Sequence, residues 1–156
     1  MAASCRFAFA VHILALLAHS EAGLTSAALA ASVNTHPVVI RRLLCSLRRA
    51  GIVSTQKGAR AGTRLTRAAA EISLDEVYRA TGPGTSFGVH AQQPDERCLV
   101  GRNIERVLGE VFGTARLALE KALSERSLAD VLKTVSDDTP DSGPKIPRSR
   151  RRPLKA

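Results

Sequence analysis

Basic side chains that could bind phosphate groups recur along residues 37–49 of this 156-residue chain. An arginine guanidinium is planar and permanently charged, and it can donate two parallel hydrogen bonds to a phosphate or to the edge of a guanine. At about 100° per residue, one side of a helix over this segment would carry Val38, Arg41, Arg42, Cys45, Arg48 and Arg49. This pattern favours binding to a polyanion, although a solvated amphipathic helix is the plain alternative.

The other side of the same segment is apolar and indicates how the arginines would be positioned. Apolar residues recur there at helical spacing, at Ile40, Leu43, Leu44 and Leu47. We expect Asn34 or Thr35 to cap this helix. Pro37 suits its first turn, because the N–H that proline lacks would have no partner inside the helix. Gly51 suits the position just after the helix ends.

A short alanine-rich segment precedes the arginine helix. Thr25 or Ser26 is a good N-cap, residues 27–31 are strong helix formers and residues 32–34 are weak ones. Two helices joined by so short a turn are typical of a helix-turn-helix. Residues 6–19 are apolar at helical spacing and predict a supporting helix, and the histidine within this run argues against a secretion signal.

A basic hairpin is predicted after the second helix. Residues 52–56 favour a strand, residues 57–62 form a basic turn with glycine, and residues 63–65 return as a strand. Such a hairpin is what a winged helix-turn-helix needs. In that fold the second helix lies in the major groove of DNA while the wing reaches neighbouring phosphates.

Several of these segments carry a resemblance to a known family. The segments are GLTSAALA at 23–30, NTHPVVIRRLL at 34–44, residues 47–53, the glycine-containing turn at 57–62, and ISLDEVYRA at 72–80. They resemble the Rrf2 family of bacterial transcription regulators, and the resemblance covers roughly residues 6–135. The chain departs from the family pattern in the wing, where Ala61 replaces a glycine and Thr63 replaces an aromatic residue.

The candidate DNA-binding residues follow from the helix-turn-helix and its wing. We expect Thr25, Ser26, Thr35 and His36 to position the domain on phosphates. Base edges would be contacted by Val38, Arg41 and Arg42. The backbone or the minor groove would be bound by Arg48, Lys57, Arg60 and Arg64.

The net charge of +9 is unevenly distributed, which supports this prediction. Residues 1–66 hold eight Lys/Arg and one acidic residue, residues 67–135 hold nine and ten, and residues 136–156 hold six and three. The positive charge therefore lies on the proposed DNA-binding domain and on the tail, as expected for a polyanion binder. An odd number of cysteines does not indicate a disulfide scaffold, so we expect reduced thiols in the cytoplasm. DNA binding would associate the protein with the nucleoid. No stretch approaches the ~20 apolar residues that span a bilayer, so we expect no association with a membrane.

A long helix is predicted from Cys98 to Ser124. Before it, Thr66 is expected to cap a short helix through Ala70, and Ser73 with Glu76 has the spacing of a capping box. Apolar residues of the long helix step by four and three, at Ile104, Leu108, Val111, Ala115, Ala118 and Ala122. This seam could pack on its own domain or on a second copy, and the resemblance implies that the long helix crosses to a second subunit in a homodimer.

The three cysteines raise two kinds of chemistry. Many members of the Rrf2 family carry an iron–sulfur cluster on three closely spaced cysteines before the long helix, whereas this chain has one there, Cys98. Four ligands are the usual requirement, so we expect no cofactor and no metal site, and the chain resembles the cluster-less branch. Cys45 lies among arginines, which favour the reactive thiolate. Oxidation of Cys45, with or without Cys5, or of Cys98 is a possible redox signal, and small half-buried residues are the alternative.

The sequence thus predicts a mainly α fold with a small β-hairpin wing. The expected division is a winged helix-turn-helix at 1–81, a loop and possible sensor region at 82–97, dimerisation helices at 98–135 and a disordered basic tail at 136–156. The predicted function is a sequence-specific transcriptional regulator, most simply a homodimeric repressor of a pseudo-palindromic operator, with its effector unknown. The alternative is a winged-helix protein-interaction module that does not bind an operator. No phosphate loop, paired-carboxylate pattern or nucleophile motif predicts an enzyme, and no catalytic residue is assigned.

Overall fold

The helices and the hairpin follow one another along the chain in the predicted order. The computed structural model describes residues 5–20, 22–56, 61–82, 90 and 92–137. The elements are α1 (Arg6–Ala18), α2 (Ser26–Val33), α3 (Pro37–Arg49), β1 (Val53–Gln56), β2 (Gly62–Leu65), a 3₁₀ turn (Ala69–Glu71), α4 (Leu74–Ala80), α5 (Leu99–Ser124) and α6 (Leu128–Asp137). The prediction of a mainly helical fold with one hairpin is confirmed.

One apolar core joins the first four helices, the hairpin and α6. The apolar side of α3 is buried as predicted, and α1 packs against it through Ala10, Ile13, Leu14 and Leu17. Leu29 of α2 and Leu128 of α6 complete the same cluster. Burying these side chains is the main force that holds α3 in place, because each fully buried aliphatic side chain contributes about 1.5–3 kcal/mol.

The turn between α2 and α3 differs in one detail from the prediction. Asn34 lies in the left-handed region (φ 54°), and the N–H groups of Asn34 and Thr35 donate to the carbonyls of Ala31 and Ala30, closing α2. The prediction that Asn34 or Thr35 caps α3 is therefore wrong, because both residues already end the preceding helix. The cap is His36, whose Nδ1 accepts from the N–H of Val38 at 3.2 Å.

The hairpin is antiparallel, with Val53 opposite Leu65 and Gln56 opposite Gly62. Its second strand also pairs with the chain before α2. Leu24 N–H donates to Thr63 O at 3.1 Å, and Thr63 N–H donates to Leu24 O at 2.9 Å. This pairing fixes the wing relative to the start of α2. Of the predicted basic turn at 57–62, residues 57–60 lie outside the described residues, and Gly62 already belongs to β2.

The segment between the wing and α4 corrects a second prediction. Thr66 does not cap a helix. Its Oγ1 donates to the carbonyls of Gly51 and Ile52, the latter at 3.1 Å. These carbonyls follow the end of α3, where helix geometry supplies no partner, so the threonine is held there. The short 3₁₀ turn begins only at Ala69.

The capping box of α4 is confirmed. Glu76 N–H donates to Ser73 Oγ at 3.2 Å, and Ser73 N–H donates to Glu76 Oε2 at 3.1 Å. Val77 is buried in the core, and the ring of Tyr78 meets Phe7 edge to face at a centroid distance of 5.8 Å. Helix α4 is thus firmly seated on the N-terminal part of the chain.

Helix α5 stands apart from this core. Its 26 residues span about 39 Å, and none of them, all being described, is buried. After it the chain turns back, and α6 buries Leu128 in the core. Among the described helices none combines the length and the apolar character that crossing a membrane demands.

Candidate nucleic-acid interface

Helix α3 buries one side and presents the other. With Ile40, Leu43, Leu44 and Leu47 in the core, the arginine side must face outward, and Arg41, Arg42, Arg48 and Arg49 are all exposed. Val38, in the first turn, is 38% exposed. The helix ends at Arg49, and Gly51 takes the positive φ of 72° that lets the chain turn into β1. The predicted orientation of α3 is therefore present.

A cleft of about 390 Å³ opens between α3, the start of α2 and the hairpin. It is lined on one side by Arg41, Cys45 and Arg48, and on another by Thr25 and Ser26. The hairpin side is formed by Thr55, Gln56 and Thr63, among others. Two guanidinium groups and several hydroxyl groups thus converge at one surface cleft, which suits an anionic backbone passing between the helix and the wing.

Two of the candidate residues also serve as helix caps. Thr25 Oγ1 accepts from the N–H of Ala28 at 3.2 Å, and His36 Nδ1 accepts from the N–H of Val38. The histidine bond requires the tautomer that carries its proton on Nε2, so the exposed ring keeps one donor. These caps fix the first turns of α2 and α3. The start of α2 is a favourable position for a phosphate. The start of α3 is not, because Pro37 has no N–H and the N–H groups of Val38 and Val39 donate to His36.

The remaining candidate DNA-binding residues differ in how exposed they are and in what they contact. Arg41 Nε donates to Pro37 O at 3.4 Å, which lays the side chain along the first turn of α3. Arg42 is exposed on the same helix, whereas Thr35 is half-buried in the turn. Arg64 is half-buried on β2, opposite Ser54. Lys57 and Arg60 lie outside the described residues. The individual DNA contacts of these residues stay predictions.

Sequence reasoning named basic residues of the hairpin but missed the polar residues of β1 that line the cleft. Thr55 and Gln56, both exposed on β1, line it beside the α3 arginines. The signal was present in the sequence, because two polar residues at the end of a strand that leads into a basic turn are placed to face the same ligand as that turn. The pairing of Leu24 with Thr63 had no comparable sequence signal.

The three cysteines have distinct surroundings. Cys45 is half-buried in the cleft, while Cys5 and Cys98 are exposed, and no disulfide joins the cysteines that are described. Cys98 is the N-cap residue of α5, and hydrogen bonds from the backbone N–H groups of Gly101 and Val100 lower the pKa of its thiol. Since the thiolate is the nucleophile, this lowering favours the reactive form of Cys98.

The donor set does not fit an iron–sulfur cluster. Within the described residues, no three His, Cys, Asp or Glu side chains come together as metal ligands. Cys98 is the one cysteine of the whole chain near the start of α5. A cluster needs about four ligands, of which thiolates are the usual kind.

Comparison with known proteins places these features in a family. The model of the Rrf2 family, described as an iron-dependent transcriptional regulator, matches residues 3–134. YwnA of Bacillus subtilis, described as an HTH-type transcriptional regulator, is 41% identical over 128 residues, which cover 81% of this chain and 94% of YwnA.

Solved structures agree with this match. A crystal structure described as a DNA-binding protein is 38% identical, has a TM-score of 0.66, and the match covers 81% of this chain and 98% of that one. A transcriptional regulator from Lactobacillus plantarum is 26% identical with a TM-score of 0.70, and the match covers 86% of this chain and 91% of that one. The resemblance that the sequence motifs suggested is confirmed.

Proposed function

Since the chain belongs to the Rrf2 family of transcriptional regulators, we propose that it is a homodimeric repressor that binds a pseudo-palindromic operator. The observation that carries the proposal is the cleft where the arginines of α3, the start of α2 and the wing meet. The family favours this function over a protein-interaction module, and its described activity is regulation of transcription and not catalysis.

The proposed mode of binding places α3 in the major groove. Val38, Arg41 and Arg42 lie on its outer side, and Arg41 or Arg42 would bind a guanine through two hydrogen bonds. Arg48 and the wing would bind phosphates on either side of the groove, which sets the register without reading sequence. The first turn of α2 would add N–H donors to the same backbone.

The proposed homodimer rests on the apolar surface of α5. Leu99 and Val100 are 73% and 65% exposed, and Val111 and Leu117 are also more than half exposed. The predicted seam, at Ile104, Leu108, Val111, Ala115, Ala118 and Ala122, has no buried member in the single chain. A helix with so much uncovered apolar surface needs a partner, and a second α5 offers a matching seam.

The proposed division of the chain keeps the predicted ranges. Residues 1–81 bind DNA, residues 82–97 connect and could sense, residues 98–135 dimerise and the basic tail at 136–156 adds non-specific affinity for DNA in the cytoplasm. Within the dimerisation segment α6 has a second role, since Leu128 packs into the core of the DNA-binding domain. The tail beyond residue 137 lies outside the described residues.

The proposed signal is oxidation of a thiol, because Cys98 is exposed and the pKa of its thiol is lowered. The Cys98 thiolate would attack a peroxide oxygen, which gives a cysteine sulfenic acid and releases the alcohol or water. Cys98 lies at the first turn of the dimerisation helix, and Cys45 lies beside the arginines of the DNA-binding cleft. Oxidation at either position would change affinity for DNA, and Cys5 is the third candidate thiol.

Selection of genomic fragments by the full-length protein tests the proposed function. We expect the bound fragments to share an inverted repeat and binding to weaken steeply as salt increases, since phosphate contacts release counterions. The variant Arg41→Ala should bind more weakly and relax the base preference at one position of each half-site, whereas Arg106→Ala, at an exposed α5 position, should behave as wild type. Bound fragments without a common sequence would contradict the proposal.

A further inference from the structure

Two sets of polar contacts join the C-terminal part of the chain to the DNA-binding domain. The first is a backbone anchor beside the turn between α5 and α6. There Leu74 N–H donates to Arg126 O at 2.9 Å, and Leu128 N–H donates to Ile72 O at 2.8 Å. The second lies six residues earlier on α5, where Arg79 of α4 contacts Glu120 at 3.2 Å. At 1.5 Å per residue, Glu120 lies about 6 Å before the end of α5 at Ser124, and the anchor follows that end.

Arg79 is the centre of an ion cluster that consists of Asp75, Arg79, Arg116 and Glu120. Its NH2 lies 3.0 Å from Asp75 Oδ2 and 3.2 Å from Glu120 Oε2, while Arg116 NH1 lies 3.4 Å from Glu120 Oε1. The two carboxylates are shielded, being 10% and 17% exposed. Removing Arg79 would leave them facing each other without the cation between them, which costs more than losing a surface pair.

The two helices joined by this ion cluster, α4 and α5, differ in how strongly they are packed on the domain. Helix α4 is fixed to the domain by buried Val77, by Tyr78 against Phe7 and by its capping box. Helix α5 packs against α4, but no residue along its length is buried, so core packing holds its direction less firmly than that of α4. The anchor fixes one point of the α5 axis, and the ion cluster fixes a second. Two points define the angle between α5 and the domain.

We propose that Arg79 is a positioning residue that sets this angle, and with it the spacing between the two half-sites that the homodimer accepts. The inference rests on the proposed function, because the angle becomes a distance only when α5 pairs with a second copy. A domain of about 80 residues has a radius of about 15 Å, so a rotation of about 10° about the anchor moves its DNA-binding face by about 3 Å. Two domains together move by about 6 Å, which is one to two base pairs at about 3.4 Å each.

A spacer series tests the inference. Duplexes carry two copies of the selected half-site in inverted orientation, separated by spacers that differ by single base pairs, and affinity is measured by fluorescence anisotropy. Wild type should prefer one spacer. Arg79→Met should move or broaden that preference by one to two base pairs and lose at least threefold in affinity at the wild-type spacer. Its affinity for a single half-site should be unchanged, which a merely destabilised domain would not show.

Two further variants separate position from charge. Arg79→Lys retains a cation at the cluster and should keep the wild-type preference. Arg106→Met removes an arginine whose partner, Glu110 at 2.9 Å, lies on α5 itself, so it changes the charge equally and should also keep that preference.

The possible outcomes distinguish a failure of this inference from a failure of the proposed function as a dimeric operator-binding protein. A wild-type protein with a defined spacer and an Arg79→Met variant with the same profile would overturn the inference alone. If that variant does not fold, Glu120→Leu removes the same contact between α4 and α5, and an unchanged profile for it would overturn the inference equally. A wild-type protein that binds DNA but prefers no spacer would overturn both the inference and the proposed dimeric operator.

Discussion

Replacing Gly62 with alanine should separate the wing from the start of α2. Gly62 has φ of +148°, and a Cβ atom there would lie 2.5 Å from the carbonyl carbon of Gly23. The contact is with backbone, so it cannot be relieved by rotating a side chain. The strained backbone costs about 1–2 kcal/mol. The displacement would also stretch the two hydrogen bonds between Leu24 and Thr63, each worth about 0.5–1.5 kcal/mol. We expect a total loss of about 3 kcal/mol in the free energy of unfolding.

Urea unfolding of Gly62→Ala beside Gly82→Ala isolates the clash. Gly82 also has a positive φ, of +68°, but a Cβ atom there would meet nothing within 4 Å. Its substitution should cost only the backbone term of about 1 kcal/mol. Gly62→Ala should in addition weaken DNA binding, since the hairpin lines the cleft beside α3. Equal losses of stability in the two variants would refute the close packing of Gly62 on Gly23.

Three other predictions test separate parts of the account. Burial raises the pKa of Glu76, but hydrogen bonds from Ser73 N–H and Arg67 outweigh burial and lower the pKa in the folded protein. The stabilisation from Glu76 is therefore present above the unfolded pKa of about 4.3 and is lost as pH falls through the lower folded value. When stability is measured against decreasing pH, Glu76→Gln should lack this part of the loss seen in wild type. Leu128→Ala should lower the free energy of unfolding by about 2–4 kcal/mol, and the loss would be near zero if α6 did not pack in the core. In a DNA-shift assay with added peroxide, Cys98→Ser should lose most of the response, and an unchanged response in both Cys98→Ser and Cys45→Ser would remove thiols from the mechanism.

Periodic and capping signals explain why so much of the fold could be predicted. The apolar spacing of Ile40, Leu43, Leu44 and Leu47 determines which side of α3 is buried, and that in turn leaves the arginines outside. The spacing of Ser73 and Glu76 was sufficient to place the start of α4. Each signal acts within a few residues, so the sequence carries it directly.

The features that could not be predicted depend on neighbours distant in the chain or on competition between adjacent elements. Asn34 is a good N-cap by type, but it is already used to end α2, and His36 takes the cap instead. Thr66 bonds to carbonyls at residues 51 and 52, which only the hairpin brings near. The contact of Arg79 with Glu120 spans 41 positions and follows from no local pattern.

The central claim is that the arginine side of α3 binds DNA in a protein paired through α5, and one measurement tests it most directly. Sedimentation velocity of the purified protein with a labelled duplex from the genomic selection, in dilute buffer, gives affinity and stoichiometry together. We expect the protein to be a dimer without DNA and to place two chains on each duplex. A protein that remained monomeric and did not bind the duplex even at low salt would contradict it.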